Sequence, residues 1–386
     1  RSPPFHGGNT GSSPVENTNM FKIIFDSDFN GMFDSGNNPN DVFVNYFKDK
    51  HSTTFLFHYL HEHTSRPFNS YDFNNPKSYE ELEDILVLNN NVLYCLYSGY
   101  ENILYGNTKI KNVFFITWPT YLLHYSYYGM VKVYDKPIQE INIETNFDKL
   151  FLNQNNKPRY HRGMLLDEIS RNDLFKFGKI SWFSDYTKLA GTIGKEYKFK
   201  NWVEENIIID NLNIWPRKND SSVTEYDGYY TEEFLKYNCL LNVVNETLCN
   251  NEDIFITEKT FKNVLISQPF ICFSSKNHNK SLTNFGFVLY DEIIDYSFDS
   301  ENELENRING IIKNLNSLKN ENYGFLHKKI KVKLDYNKSR SIQIIKKDEY
   351  IPKELITLYK NNKDVFYQNM GNNKVPGFLP RCFENH

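Results

Sequence analysis

Long apolar runs and paired cysteines are both missing from this sequence of 386 residues. No apolar run approaches the ~18 residues of a membrane-spanning helix, which predicts that the protein has no integral membrane segment. The five cysteines are scattered and form no CxxC pair. Free thiols in a reducing, cytoplasmic location therefore fit better than a disulfide framework or a structural zinc site.

Charge of one sign is also in short supply. Lys and Arg total 44 and Asp and Glu total 48, which gives a formal net charge of −4. This balance argues against a surface covered with phosphate contacts, although it is compatible with a local basic face. Aromatic residues make up 16% of the chain, too many for a disordered protein. The abundance of Asn, Lys, Ile, Phe and Tyr is typical of AT-rich genomes, including those of bacteria, phages and some large viruses.

The length predicts two domains, at ~100–200 residues each. Residues 1–19 are rich in Gly, Ser, Pro and Asn, and we expect a vector-derived or disordered leader there, with Met20 as the native start. Helical and strand patterns then alternate, which predicts an N-terminal α/β domain over 20–147 and a second one over 148–325. Residues 326–386 form a basic C-terminal extension and tail.

The individual elements follow from apolar periodicity. In the first domain the predicted strands are 21–25, 54–59, 92–97 and 113–118, and the predicted helices are 41–48 and 79–88. In the second domain the predicted strands are 148–152, 179–183, 237–244, 269–273 and 287–290, and the predicted helices are 161–172, 257–266, 281–285 and 301–318.

A basic stretch marks the extension. Residues 328–347 contain eight Lys or Arg and one Asp, a local charge of +7. One interpretation is that this stretch is a solvated face that packs on the first domain. The other is that it binds phosphates or an anionic membrane. The interleaved apolar residues favour a strand core over a base-stacking platform; they are Tyr336, Ile342, Ile344 and Ile345.

The most informative stretch is 254–273, IFITEKTFKNVLISQPFICF. Thr257 is a good N-cap for the predicted helix, and the N–H groups of a helix N-terminus attract anions. Lys259 adds a positive charge there, while Glu258 can accept two hydrogen bonds from a vicinal diol such as a ribose. A nucleoside diphosphate offers both groups. The alternative is a plain cap beside a solvated lysine.

Two further segments extend this pattern: LLNVVNET (240–247) and LFLNQNNKPRYHRGMLLDEI (150–169). Together with the TEK segment, in this order and spacing, they resemble the nucleotide-binding domain of fucosyltransferase-like glycosyltransferases of bacterial, phage and viral type, the relatives of α1,3-fucosyltransferases. The resemblance implies the GT-B fold, in which two Rossmann-like domains face each other across a cleft. It also implies hexosyl or pentosyl transfer from a GDP- or UDP-sugar to an acceptor hydroxyl, inverting and metal-independent.

The resemblance also implies roles for individual residues of the donor site. Glu258 would bind the ribose hydroxyls, and Lys259 together with Arg159 or Arg162 would bind the diphosphate. Asn153 and Glu246 would line the donor pocket. Alternatively, the two arginines belong to a basic surface loop and the start of a helix.

Inverting transfer needs a general base near the acceptor hydroxyl. Glu101, which follows the predicted strand 92–97, and Glu62 are the candidates, with Asp26 and Asp28 as further possibilities. The Asp26-Ser27-Asp28 string matches the Asp-x-Asp of metal-dependent transferases, but it is far in sequence from the nucleotide block. A divalent metal is therefore not favoured, and no cofactor is required. The histidines at 58, 61 and 63 fit a polar strand end better than a metal site.

The acceptor stays open between a glycan and, in a phage, a hydroxymethylated DNA base. Two other classes of function also stay open. One is a non-catalytic nucleotide- or glycan-binding protein with the same fold. The other is a nucleic-acid-binding protein that uses the basic stretch 328–347.

Overall fold

A computed structural model of the chain describes residues 20–25, 28, 39–58, 79–97, 110–155, 159–182, 238–247, 249, 254–371 and 382–383. The described residues form two compact units. Of these residues, the first unit contains those up to Tyr121 and those from Asp348 onward, and the second unit contains those from Leu122 to Lys347. Each unit has a four-stranded parallel sheet, so the predicted α/β class is confirmed.

The sheet of the first unit follows chain order. Its strands are β1 (Met20–Phe25), β2 (Thr53–His58), β3 (Val92–Tyr97) and β4 (Val113–Thr117), and they lie side by side as β1-β2-β3-β4. All three strand pairs are parallel. Parallel pairing needs crossover connections, which α1 (Pro39–Phe47) and α2 (Glu80–Leu88) supply among the described residues.

Aromatic packing joins α1 to this sheet. Phe43 and Phe47 lie one turn apart on α1, and their rings stack with centroids 5.8 Å apart. The ring of Phe57 on β2 meets Phe43 edge-on at 5.5 Å. All three side chains are fully buried. The sequence signal for this helix and this strand therefore came from the apolar residues that form the core.

The second sheet has a different strand order. Its strands are β5 (Lys149–Asn155), β6 (Gly178–Trp182), β7 (Cys239–Asn245) and β8 (Phe270–Phe273), arranged as β6-β5-β7-β8 and parallel throughout. After β5 the chain places β6 on one side, and it then returns to place β7 on the other. The order thus reverses between β5 and β7. Every residue of β7 is buried, as expected of a central strand covered on both faces.

The helices of the second unit complete its layers. Among the described residues they are α3 (Tyr121–Tyr134, in this unit from Leu122 onward), α4 (Tyr160–Arg171), α5 (Glu258–Leu265), α6 (His278–Ser281), α7 (Leu304–Leu318) and α8 (Tyr323–Lys346). The helix α3 was not predicted from the sequence. Among the described residues, no helix is both long enough and apolar enough to cross a membrane.

One predicted strand and the strand interpretation of the basic stretch are wrong. The basic stretch lies in the helix α8, where Ile330 and Leu334 recur at helical spacing on the buried face, rather than in a strand core. Residues 287–290 form no strand. The side-chain amide of Asn337 accepts from the N–H of Val288 at 2.8 Å and donates to its carbonyl at 2.8 Å, replacing a neighbouring strand.

A buried lysine ties the segment before β5 to α8. Nζ of Lys338 donates to the carbonyl of Ile141 at 2.6 Å and to Oδ1 of Asn142 at 2.9 Å. The N–H of Ile143 donates to the carbonyl of Ile266 at 3.4 Å. These contacts account for why residues 122–147 lie in the second unit, whereas the sequence placed the domain boundary at 147/148.

The chain returns to the first unit through α9 (Lys353–Asn361) and α10 (Lys363–Gly371). Phe366 of α10 stacks on Phe21 of β1 with ring centroids 5.8 Å apart, and Tyr359 of α9 lies 4.6 Å from Phe383. The expected extension 326–386 is thus divided between the units at 347/348.

Candidate functional site

Asparagines connect the carboxyl ends of β5 and β7. Asn153 and Asn155 alternate along β5 and therefore face the same side of the sheet. Nδ2 of Asn245, the last residue of β7, donates to Oδ1 of Asn155 at 2.6 Å and to Oδ1 of Asn153 at 3.3 Å. Nδ2 of Asn153 donates to the carbonyl of Val243 at 2.7 Å. This buried amide network fixes the two central strands at the point where the strand order reverses.

Glu246 follows β7 directly, and its fully buried carboxylate anchors the start of α5. Oε1 accepts from the N–H of Thr257 at 3.1 Å and from Oγ1 of Thr260 at 2.6 Å. Oε2 accepts from Oγ1 of Thr257 at 2.6 Å. The N–H of Glu246 itself donates to the carbonyl of Phe273 at the end of β8. Glu246 therefore positions the N-terminus of α5 at the carboxyl edge of the sheet.

The predicted N-cap is confirmed. Thr257 has an extended backbone, and its hydroxyl accepts from the N–H of Lys259 at 3.1 Å. Nζ of Lys259 lies 3.1 Å from Oε1 of Glu258 and donates to Oγ1 of Thr247 at 3.2 Å. The Lys259 side chain is only 18% exposed, so the alternative of a solvated surface lysine is wrong. The first turn of α5 thus carries one charge of each sign beside a helix N-terminus.

Arg162 on α4 reaches the same edge. Its Nη2 lies 3.4 Å from the carbonyls of Asn245 and Glu246, and the residue is buried rather than on a surface loop. Arg159 is at the N-cap position of α4, partly exposed, with its carbonyl accepting from the N–H of Gly163. One helical turn separates the two arginines, which brings both to the start of α4.

His161 lies between these arginines in sequence. Its Nε2 is 3.1 Å from the carbonyl of Glu246, and because a carbonyl can only accept, Nε2 carries the proton. Burial, with a further contribution from the Arg162 charge, holds the pKa of His161 well below its usual value. The neutral ring therefore donates a hydrogen bond without adding charge to the site.

Two buried cations of this region were missed in the sequence. Arg307 on α7 donates from Nη2 to the carbonyl of Cys249 at 3.1 Å and from Nη1 to that of Glu301 at 2.8 Å. Lys262 on α5 donates from Nζ to Oε1 of Gln154 at 3.2 Å, and burial lowers its pKa to about 8. In the sequence, Arg307 is a charged residue next to Ile308 on the apolar face of the predicted helix 301–318, and this position could have indicated a buried cation.

Few of the residues proposed for the acceptor side are among those that the structure describes. Glu101, Glu62 and Asp26 lie outside the described residues, as do the histidines at 61 and 63. Oδ2 of Asp28 accepts from the N–H of Phe25 at 2.9 Å, at the end of β1. Within the ranges that the structure describes, no three His, Cys, Asp or Glu side chains are grouped to hold a metal ion.

The fold defines an α/β protein with two parallel four-stranded sheets, which is compatible with a Rossmann-like two-domain class. No protein-family model, curated protein or solved structure matches the chain. The geometry of the second unit, with the sequence resemblance, therefore supplies the basis for a functional proposal.

Proposed function

We propose that this protein is a glycosyltransferase that moves a sugar from a nucleotide-activated donor to an acceptor hydroxyl. The observation that carries the proposal is the position of the α5 N-terminus. In open parallel sheets, ligands bind outside the carboxyl ends of the strands where the strand order reverses. In the second unit that place lies between β5 and β7, and Glu246 fixes the charged first turn of α5 there.

The roles within the donor site follow from charge and position. Glu258 binds the two ribose hydroxyls, and Lys259 with Arg159 or Arg162 binds the diphosphate. Thr257 caps the helix, while Asn153 and Glu246 hold the strand ends that surround the donor. The side chains of Asn153 and Glu246 are both buried, so neither presents a surface to a ligand in this structure. Their direct contact with the donor therefore stays a prediction.

The chemistry places negative charge on the leaving diphosphate as the sugar becomes oxocarbenium-like. Fixed cations and oriented N–H groups stabilise such charge without reorganisation. Lys259 and the α5 N-terminus supply both, which supports metal-independent transfer. In the proposed GT-B arrangement the two units face each other across a cleft. The first unit then contributes the general base of an inverting reaction, with Glu101 and Glu62 as candidates.

A thermal-shift screen tests the donor site. UDP-, GDP-, CMP-, ADP- and dTDP-sugars are each added with and without Mg²⁺ or Mn²⁺. A ligand of the native state adds about 2.7 kcal/mol of stability at a hundredfold excess over Kd, which raises Tm by a few degrees. We expect a shift with one nucleotide class that does not require metal. The absence of a shift with every donor contradicts the proposal.

Transfer itself is tested after donor binding. Glycan acceptors and hydroxymethylated DNA are incubated with the donor that gives a shift, and release of the nucleotide diphosphate is followed. Sugar-dependent release with one acceptor supports the transferase. Donor binding without turnover on any acceptor favours a nucleotide- or glycan-binding protein instead.

A further inference from the structure

The helix α8 has apolar side chains on two opposite faces. One face is buried against α5 and β7 of the same unit and includes Ile330 and Leu334. The other carries Phe325, Val332 and Tyr336, which are 64%, 82% and 49% exposed. An amphipathic helix that only covered a core would have polar residues at these positions.

The three exposed residues form one line, which we call the α8 stripe. At 3.6 residues per turn, Val332 and Tyr336 return to within about 20° of the direction of Phe325. At a rise of 1.5 Å per residue, the stripe from Phe325 to Tyr336 is about 17 Å long. It is therefore a narrow apolar line on an exposed helix face.

Lysines border the α8 stripe. Five of the eight basic residues in 328–347 are exposed, namely Lys328, Lys329, Lys331, Lys346 and Lys347. Of these, Lys329 also donates from Nζ to the carbonyl of Glu292 at 2.8 Å. The other three contact groups of the same unit: Lys333 the carboxylates of Asp291 and Glu292, Lys338 the carbonyl of Ile141, and Arg340 that of Phe285. Asp335, which pairs with Lys331, is the one acidic residue within 328–347. On α8 itself, the exposed face thus combines apolar side chains with more lysines than acidic residues, while the exposed Asp291 and Glu292 of the preceding segment lie against Lys333.

We propose that the α8 stripe docks on an anionic phospholipid surface. A helix that lies in the membrane interface inserts aliphatic and aromatic side chains, and flanking lysines reach the lipid phosphates. Each lysine near an anionic surface adds to the attraction. This chemistry matches the apolar and the basic side chains of the exposed face.

Other partners fit the face less well. The core of a protein–protein interface is depleted in lysine, whereas the exposed Lys328, Lys329 and Lys331 lie within the span of this stripe. Nucleic acid would use the lysines and could stack on Tyr336, but it offers nothing to Val332, the most exposed of the three. Because only three apolar side chains insert, the binding is weak, reversible and dependent on salt. The inference does not rest on the proposed enzymatic function.

Co-sedimentation of the full chain with vesicles tests the proposal. We expect binding to vesicles of equal parts phosphatidylcholine and phosphatidylglycerol, and far weaker binding to pure phosphatidylcholine. The variant F325S/V332S/Y336S should lower the partition coefficient at least about tenfold, as should K328E/K346E. The matched control is L88S, since Leu88 is 83% exposed and lies on α2, a helix that itself contains no lysine.

A dye probe reports which residues enter the lipid. An environment-sensitive dye on V332C should gain fluorescence with anionic vesicles, whereas the dye on L88C should not. Equal vesicle binding by the wild type and F325S/V332S/Y336S overturns the proposal. Binding to duplex DNA without binding to vesicles also overturns it and assigns the face to nucleic acid. A dimer that this variant abolishes overturns it as well and assigns the face to a second copy of the chain.

Discussion

The carboxylate of Glu246 accepts two hydrogen bonds from Thr257, one from its N–H at 3.1 Å and one from its hydroxyl at 2.6 Å. This contact joins the end of β7 to the first residues of α5. Because it fixes both the position and the direction of the helix N-terminus, the candidate donor site depends on it.

Glu246→Ala should lower the free energy of unfolding by about 2–4 kcal/mol, because buried donors of Thr257 and Thr260 lose their acceptor. Denaturant unfolding measures the change. Glu305 lies in the first turn of α7 but is exposed, so Glu305→Ala should change stability by no more than about 0.5 kcal/mol. Equal effects of the two substitutions would falsify the anchoring role.

Glu258→Gln and Lys259→Met should each weaken donor binding about tenfold or more, because a charge-assisted hydrogen bond contributes roughly 1.5–3 kcal/mol. Calorimetric titration with the donor from the thermal-shift screen gives the affinities. Glu305→Gln and Lys280→Met replace exposed charges of the same unit and serve as controls. Normal donor affinity in both site variants, with the fold intact, places the donor elsewhere.

Lys262 should make stability rise in alkaline solution. Burial lowers its pKa from 10.5 to about 8, so the folded state binds fewer protons than the unfolded state between these values. The free energy of unfolding therefore increases as the pH rises through this interval, and the cost of the buried charge is fully present below it. Lys262→Met should flatten that rise, as measured by denaturant unfolding at several pH values.

Lys313→Met is the control for this pH dependence, because the Lys313 side chain is 76% exposed. Burial also lowers the pKa of Lys338 to about 8. Lys262→Met should therefore leave part of the rise, and the double variant with Lys338→Met should leave less. If the free energy of unfolding rises with pH as steeply in Lys262→Met as in the wild type, the rise does not come from this lysine.

Lys338→Met should destabilise the second unit by about 1–3 kcal/mol, since the buried carbonyl of Ile141 loses its donor. Limited proteolysis should then cleave the segment 135–147 faster than in the wild type. Lys346→Met, at the exposed end of α8, should leave both stability and cleavage rate unchanged. Protection of the segment in Lys338→Met argues that other contacts hold it.

Gly310→Ala should destabilise the protein by about 1–3 kcal/mol although alanine is the better helix former. A Cβ at Gly310 on α7 would lie closer to Cβ of Phe298 than two carbon atoms can approach. Gly324 on α8 has room, with Oδ1 of Asn322 3.4 Å away. Gly324→Ala should therefore stabilise by about 0.5–1 kcal/mol, and thermal unfolding of the pair measures the opposite signs.

Part of the candidate site could be predicted because its signals are local. Thr257 before a helical pattern is an N-cap wherever the helix packs, since the cap bonds to the N–H of Lys259 two residues later. Arg307 could not be found this way. It lies far along the chain from Arg162, and only the packing of α7 brings its guanidinium to the carbonyl of Cys249.

The helix α8 shows why the sequence pattern of the basic stretch favours a strand although the stretch is helical. Its exposed face carries Val332 and Tyr336, and these apolar residues obscure the helical period that Ile330 and Leu334 set on the buried face. Periodicity distinguishes a helix from a strand only when one face is polar. The apolar residues on the second face are the same ones that carry the membrane proposal.

The α/β alternation, most strand positions and the cap at Thr257 follow from local sequence, because each depends on residues close together in the chain. Three other features emerge only in the folded protein: the strand order β6-β5-β7-β8, the burial of Lys262, and the convergence of α4, α5 and α7 at one edge of the sheet. Those features depend on contacts between residues that are distant in sequence. Periodicity carries no information about which distant elements pack together, because many strand orders bury the same apolar residues.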